Sequence, residues 1–428
     1  MTTRRVALNA LVRIDRGAFA HRVLPPLLAK SSLKVNERAQ VTDWVYGTTR
    51  MRRRLDHAIA AYSKRPIVAL DPDIRSALRL GAYQLMSGHK PYSAVNETCR
   101  YVREDARGYV NAILRSLSTA WPTFEAGASD EDWGFELSYP DWIVSRFRSE
   151  FGDAAAWRVL AAGNEPAMVT LRCRPGALDL VKRELKGTDR DRPKWAKDSI
   201  VVNGLGWPKV AKVIERGDAT VQDQASQLVV RELAPRPGER ILEIGAAPGG
   251  KSTAIAEWVG KTGLVVALDI HAGRVRAIRR AARRLQQRNV IPITADGTKL
   301  PLMPGAFDRV LVDAPCTGLG VLRRRPDARW RIKADHIAEL AELQRRLLFA
   351  GAAMVRPGGV LVYSVCTLTR EETIGIEADF AMMHPEFQVE PIEGEPWKPR
   401  GSGGMILPIR NDLDGMFVLR WRRPEIPD

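Results

Sequence analysis

Apolar positions in the first third of the chain recur with helical spacing. Ile74, Ala77, Leu78, Gly81, Ala82 and Leu85 form one stripe, Val41, Trp44, Val45, Leu55 and Ile59 keep nearly the same steps, and Val110, Ile113, Leu114 and Leu117 close the set. Steps of three and four put side chains on one helix face, so residues 1–125 are expected to form an all-α bundle. From about Asp141 the pattern changes. A helix over Trp142 to Phe151 leads into MVTLRCRP, where Val169, Leu171 and Cys173 alternate as on a half-buried strand; the helical ALDLVKREL and the strand SIVV follow. A small α/β unit over 126–215 is the expectation.

From about Val221 apolar strands alternate with helices: RILEIG, STAIAEWVG, GLVVALD, RVRAIRRAARRL, VIPITAD, FDRVLVDAPC, a long helix from His336 to Val355, and GVLVYSV. That alternation predicts a Rossmann-like α/β domain over 216–428, with a parallel sheet covered on both faces and its ligand site at the carboxyl ends of the strands. Only RRPEIPD at the end reads as a tail, and no internal repeat is visible.

Charge then narrows the partners. Lys and Arg number 66 against 50 Asp and Glu in 428 residues, a net charge of +16, which points to a polyanion such as RNA. Arg13 interrupts the first apolar residues before a leader could form, and no run is long enough to cross a membrane, so a cytoplasmic protein, expected as a monomer, is indicated. The four cysteines, Cys99, Cys173, Cys316 and Cys366, lie far apart without a C-x-x-C pair. Neither a metal site nor a disulfide framework is implied.

Gly245 to Ser252 read GAAPGGKS, which fits G-x-x-x-x-G-K-[ST], the loop that cradles nucleotide phosphates. RVLVD, ending at Asp313, could supply the magnesium-holding acid of such an enzyme. Against this reading, Pro248 has no N–H in a loop that must aim N–H groups at phosphate. The same stretch also fits acidic-x-G-x-x-x-G through Glu243, Gly245 and Gly249, a seat for S-adenosyl-L-methionine. Asp269, ending VVALD, is then placed to bind both ribose hydroxyls, and Asp296, ending ITAD, to meet the adenine edge. Both acids could instead cap the helices that follow. A nicotinamide dehydrogenase would share Asp269, but a strict G-x-G-x-x-G is missing.

Cys316 and Cys366 each follow an apolar strand at the ligand edge, whereas Cys99 and Cys173 lie on apolar faces and read as inert core thiols. A methyl donor needs a thiol when the acceptor is C5 of cytosine, a weak carbon nucleophile. Thiolate addition to C6 breaks the aromaticity and makes C5 reactive. An acid is then needed near N3, and Asp313 is three residues from Cys316. Spacing leaves open which cysteine attacks.

AAPGGKS, DAPCTGLG, RRRPDARW, YSVCTLTREE and the upstream VQDQASQL together resemble the Sun (Fmu, RsmB-type) RNA cytosine-5 methyltransferases, over essentially the whole chain. The resemblance implies a NusB-like RNA-binding first domain, a class I methyltransferase domain, S-adenosyl-L-methionine as cofactor and 16S ribosomal RNA as substrate. It makes Cys366 the nucleophile and Cys316 the residue that promotes product release. Gly245, Ala246, Ala247, Pro248, Gly249, Gly250, Lys251, Asp269, Asp296 and Asp313 match the family's cofactor contacts, with Lys251 and Asp313 also adjoining the target base. Two departures stand out: Glu243 replaces the commoner Asp, with its charge expected to be retained, and Gly245 replaces a frequent cysteine, with a wider turn expected.

Arg323, Arg324, Arg325, Arg329, Arg331 and Lys333, with Trp330 among them, are expected to grip RNA phosphates and stack a flipped base. The arginines from Arg274 to Arg288 read as an exposed helix face. The rival reading is a NusB-like RNA-binding protein without catalysis, against which the two cysteines, Asp313 and the Gly-rich loop argue.

Overall fold

The computed structural model describes residues 2–123, 127–187, 193–202, 207–409 and 412–425. These form two compact units, the first of Met1–Pro166 with Leu322–Ile332, the second of Ala167–Val321 with Lys333–Asp428.

The first unit is helical: α1 (Thr3–Asp15), α2 (Ala20–Ala29), α3 (Val35–Arg50), α4 (Arg52–Ala60), α5 (Pro72–Met86), α6 (Pro91–Cys99), α7 (Glu104–Thr119), α8 (Asp130–Glu136) and α9 (Asp141–Ala162). The predicted stripes are its core, with Val41, Trp44, Val45, Leu55, Ile59, Leu78 and Leu114 all buried and Leu85 half-buried. Gly81 permits the close approach of α5 to α7, since a Cβ there would lie 2.5 Å from a Leu114 methyl. The helix expected over Trp142 to Phe151 runs on to Ala162, with Gly152 at φ +71° breaking its regularity.

Residues 322–332 complete this unit, and they overturn the expected phosphate grip. Arg323 and Arg329 are buried, at 2% and 0% exposure. The Arg329 guanidinium donates to the carbonyls of Ser138 (3.1 Å) and Gly163 (3.1 Å) and to Asn164 Oδ1 (2.8 Å), and it lies 3.9 Å from the Tyr139 ring centroid. Arg50 donates to the Arg323 carbonyl, the Trp330 indole N–H to the Thr49 carbonyl at 2.7 Å, and Arg331 to the Gly17 and Ala18 carbonyls. Helix ends and turns leave carbonyls without partners, and arginine's forked donors satisfy several at once. Only Arg325 and Lys333 of the predicted cluster are exposed.

The second unit contains β1 (Val169–Cys173), α10 (Leu178–Glu184), β2 (Ser199–Val202), α11 (Trp207–Glu215), β3 (Ala219–Val221), α12 (Gln224–Leu233), β4 (Arg240–Ile244), α13 (Gly250–Val259), β5 (Leu264–Asp269), α14 (Ala272–Arg284), β6 (Val290–Thr294), β7 (Phe307–Asp313), α15 (Asp335–Met354), β8 (Val355–Val365), α16 (Ile374–Met383), β9 (Gln388–Val389), β10 (Lys398–Arg400), β11 (Gly403–Ile406) and β12 (Met416–Arg422). A small antiparallel sheet has the order β2-β1-β3. Its central strand is buried on both faces rather than one, because Arg172 is covered and reaches Gln222 Oε1, Thr253 Oγ1 and Glu257.

The large sheet runs β10-β11-β12-β8-β7-β4-β5-β6, with β9 on β12. β8, β7, β4, β5 and β6 are parallel, as the alternation predicted, but β9 to β12 add antiparallel strands, so the sheet is mixed. Strand order reverses between β4 and β7, the switch point where open α/β sheets form their ligand crevice.

Arg329→Ala is expected to lower the unfolding free energy by at least about 2 kcal/mol, because it strands buried carbonyls. Urea denaturation with an unchanged midpoint would contradict this account of the segment.

Candidate active site at the β4–β7 switch

The Gly-rich turn joins β4 to α13. Gly245 and Ala246 both donate their N–H groups to the Leu268 carbonyl at 2.9 Å, and Gly249 donates to Ala246 at 2.8 Å. Three of the turn's N–H groups are therefore spent inside it, and exposed Pro248 has none. Ser252 Oγ donates to Glu243, and Lys251 Nζ lies 2.7 Å from Asp313 Oδ2. The lysine and serine side chains that the phosphate-loop reading required are committed elsewhere, which argues against that reading.

Gly245 has φ +80°, and a Cβ would sit 2.2 Å from the Asp313 carbonyl oxygen. With the backbone in this conformation β7 abuts the turn and leaves no room for a Cβ. Gly249, at φ +103°, caps α13 and faces Ile278 of α14 at 3.1 Å from a built Cβ, while Ala246 is buried and Ala247 and Gly250 are half-buried.

Glu243 is fully buried beneath the turn, and burial together with nearby Asp313 pushes its pKa up to about 8. The expectation that Glu243 retains its charge is therefore corrected: near neutral pH it is mostly protonated. For Lys251, burial alone would lower the pKa, but the Asp313 ion pair, its hydrogen bond and Glu243 outweigh it and the net shift is upward. Lys251 remains an ammonium.

Asp313 ends β7 with both carboxylate oxygens engaged, Oδ2 by Lys251 and Oδ1 by Ser364 Oγ at 2.8 Å. Cys316 follows β7 and Cys366 follows β8, and their sulfurs lie 3.3 Å apart. The hydrogen bond to Cys366, burial and nearby Glu372 hold the Cys316 thiol well above its ordinary pKa. The Lys251 ammonium is stabilised by negative charge on Cys366. The pair is thus asymmetric, with carboxylate on the Cys316 side and ammonium on the Cys366 side. Cys173 is buried and pushed up to about 12, chiefly by burial, as befits a core thiol, and half-buried Cys99 is raised for the same reason.

Glu372 was missed by sequence reasoning. Its buried carboxylate accepts from Thr317 N–H (2.9 Å), Thr317 Oγ1 (2.6 Å), Gln344 Nε2 (3.0 Å), Thr367 Oγ1 (2.9 Å) and Thr369 Oγ1 (2.8 Å). Thr317 adjoins Cys316 and Thr367 adjoins Cys366, so one carboxylate ties both cysteine loops together. From behind, Gly320 N–H holds the Cys366 carbonyl at 3.0 Å. The run of Thr367, Thr369 and Glu372 after Cys366 was the available signal.

Asp269, 4% exposed, accepts the His271 N–H through Oδ1 at 2.9 Å, and among the described residues Oδ2 faces only Arg274, at 3.8 Å. One oxygen caps the turn into α14 and the other keeps acceptor capacity. Asp296 is exposed and accepts the Thr298 N–H and hydroxyl, both at 2.8 Å, through Oδ1. Among the described residues no cluster of His, Cys, Asp and Glu could hold a metal, and no helix is long and apolar enough to cross a membrane.

Residues 230–422 match the family model described as 16S rRNA methyltransferase RsmB/F, and residues 1–119 match that of the NusB family. The ribosomal RNA small subunit methyltransferase B of Thermus thermophilus is 35% identical over 430 residues, which cover 99% of this chain and 98% of that one. The methyltransferase homolog protein from Pyrococcus horikoshii is 26% identical, with a TM-score of 0.60 over 69% of this chain and 99% of its own. The crystal structure of PH0851, 23% identical, shares the fold with a TM-score of 0.84 over 98% of both chains. A NusB domain joined to this mixed sheet defines an S-adenosyl-L-methionine-dependent RNA methyltransferase. The chain belongs to the 16S rRNA methyltransferase RsmB/F family, also called Sun.

Two outcomes follow from this geometry. Glu372→Ala should lower kcat about a hundredfold through misplaced thiols, with cofactor affinity within about twofold of wild type. Wild-type single-turnover rates would remove Glu372 from the account. For Glu243, the folded chain keeps a proton up to pH about 8 that the unfolded chain releases near 4.5, so stability falls as pH rises across that window. Glu243→Gln should flatten this slope, by on the order of a few kcal/mol. Melting curves at a series of pH values with equal slopes in both proteins would contradict it.

Proposed function

We propose that this chain methylates C5 of a cytosine in 16S ribosomal RNA, in the cytoplasm, through a covalent bond between Cys366 and C6. The observation that carries the proposal is the pair of sulfurs 3.3 Å apart, one past β7 and one past β8, beside the Lys251–Asp313 ion pair. An enzyme methylating an amine or hydroxyl needs a base and not two thiols.

The residues present fit the cofactor. Gly245 to Lys251 form a turn in which Gly245, Ala246 and Gly249 fold their N–H groups inward, suited to the close approach of a flat ligand, and Asp269 Oδ2 can accept from a ribose. Asp296 at the end of β6 would meet the adenine edge. S-adenosyl-L-methionine bound there would supply the methyl group on a sulfonium.

Cys366 adds as thiolate to C6, favoured by the Lys251 ammonium, while Cys316 stays protonated and does not compete. Charge developing at N3 is neutralised by a proton that Lys251 passes through Asp313, and that proton returns the same way once C5 carries the methyl group. C5 then takes the methyl group as the sulfonium–carbon bond breaks. Loss of the C5 proton to water and cleavage of the C6–sulfur bond restore the ring and the Cys366 thiolate. The Cys316 S–H, 3.3 Å away, stabilises that departing sulfur and so promotes release. The NusB domain and the small β2-β1-β3 sheet with its helices would hold the RNA.

With labelled donor and unmodified 16S RNA, Cys366→Ala should lose more than about a thousandfold in turnover. Cys316→Ala should accumulate a covalent RNA adduct that migrates slowly in a denaturing gel. Undiminished turnover in Cys366→Ala would refute the nucleophile assignment, and RNA binding without transfer by wild type would favour the non-catalytic reading.

A further inference from the structure

We infer that α14 is a docking surface for the RNA backbone, separate from the cysteine site. The inference rests on the family's RNA methyltransferase activity and adds a place of contact. No carboxylate lies between Asp269 and Asp296, a stretch that holds Arg274, Arg276, Arg279, Arg280, Arg283, Arg284 and Arg288. At 3.6 residues per turn, Arg276, Arg279, Arg280 and Arg283 share one side of the helix. All four are exposed, while Val275, Ile278, Ala282 and Leu285 bury the other side.

Among the described residues these four arginines have no carboxylate partner. Other arginines of the second unit are neutralised: Arg216 holds Glu184 and Asp218, Arg309 holds Glu239, and Arg345 holds Glu342 and Asp379. Like charges three and four residues apart repel and weaken a helix. A stripe of four with no internal counter-charge therefore carries a cost that an external polyanion removes.

The stripe is rigidly presented. The Arg284 guanidinium is occupied in anchoring the helix, donating to the carbonyls of Ile214 (2.8 Å) and Ala219 (3.0 Å) and to Thr220 Oγ1 (2.9 Å). α11, whose last turn it grips, adds exposed Lys209 and Lys212. Arg276 to Arg283 span about 10 Å along the axis, long enough to meet successive phosphates of one strand. Guanidinium forks bind phosphate oxygens in pairs and read no sequence, so the contact would position the RNA and not choose the cytosine.

The test uses full-length protein, a 16S RNA transcript and an unrelated duplex RNA, with affinity measured across a salt series. The variant R276Q/R279Q/R280Q/R283Q should bind both RNAs more than about tenfold more weakly at moderate salt, and its log–log salt slope should fall by about 3 to 4. Arginine-to-lysine replacement at the same positions should restore most of the slope. Melting temperature should not fall, since the substitutions relieve repulsion along the helix, and cofactor affinity should be unchanged. Wild-type affinity and slope in the glutamine variant would overturn the proposal, as would a defect confined to ribosomal particles, which would make the partner a protein. If wild type itself transfers no methyl group to RNA, the reading on which this inference rests is what falls.

Discussion

The ion pair between Lys251 and Asp313 organises the chemistry of this protein. It spans the switch point, joining the first turn of α13 to the end of β7, and it is mostly buried. Removing one partner of such a pair leaves a charge without compensation, at a cost of about 3 to 5 kcal/mol, so the two strand ends are bound to one geometry. Two other features follow from it: Glu243 is driven toward its neutral form partly by the same carboxylate, and the ammonium is held beside Cys366.

The pair also separates this loop from the phosphate loop whose letters it shares. A lysine bonded to a strand-end carboxylate cannot also reach a nucleotide's phosphates, and a serine donating to Glu243 is not a magnesium ligand. Glycines, a lysine and a serine at fixed spacing specify a sharp strand-to-helix turn, and the direction of its N–H groups decides what it binds. Here those of Gly245 and Ala246 point to Leu268 and that of Gly249 to Ala246.

Much of this was legible in the sequence, for physical reasons. Helical stripes such as Ile74 to Leu85 announce the bundle because burial imposes the period, and long apolar strands such as RVLVD are clear because both faces are covered. Placing Cys316 and Cys366 past strand ends at the ligand edge followed from the alternation alone, whereas the pairing of β7 with β8 that brings them together did not. What escaped depends on partners distant in sequence. Glu372 has meaning only through Thr317, Gln344, Thr367 and Thr369, and a short antiparallel strand such as Gly403–Ile406 carries too few residues to show a period. The arginines around Arg329 were misread because charge density does not distinguish a phosphate from a set of helix-end carbonyls. On α14, by contrast, Arg276, Arg279, Arg280 and Arg283 have no carboxylate partner among the described residues.

The account stands or falls on which sulfur bonds the base. Incubation with donor and 16S RNA carrying 5-fluorocytidine should trap the intermediate, because fluorine at C5 cannot leave as a proton does. Mass spectrometry of the digested complex should find the RNA, already methylated, bonded to the peptide containing Cys366. A bond to Cys316, or methyl transfer with no covalent complex at all, would contradict it.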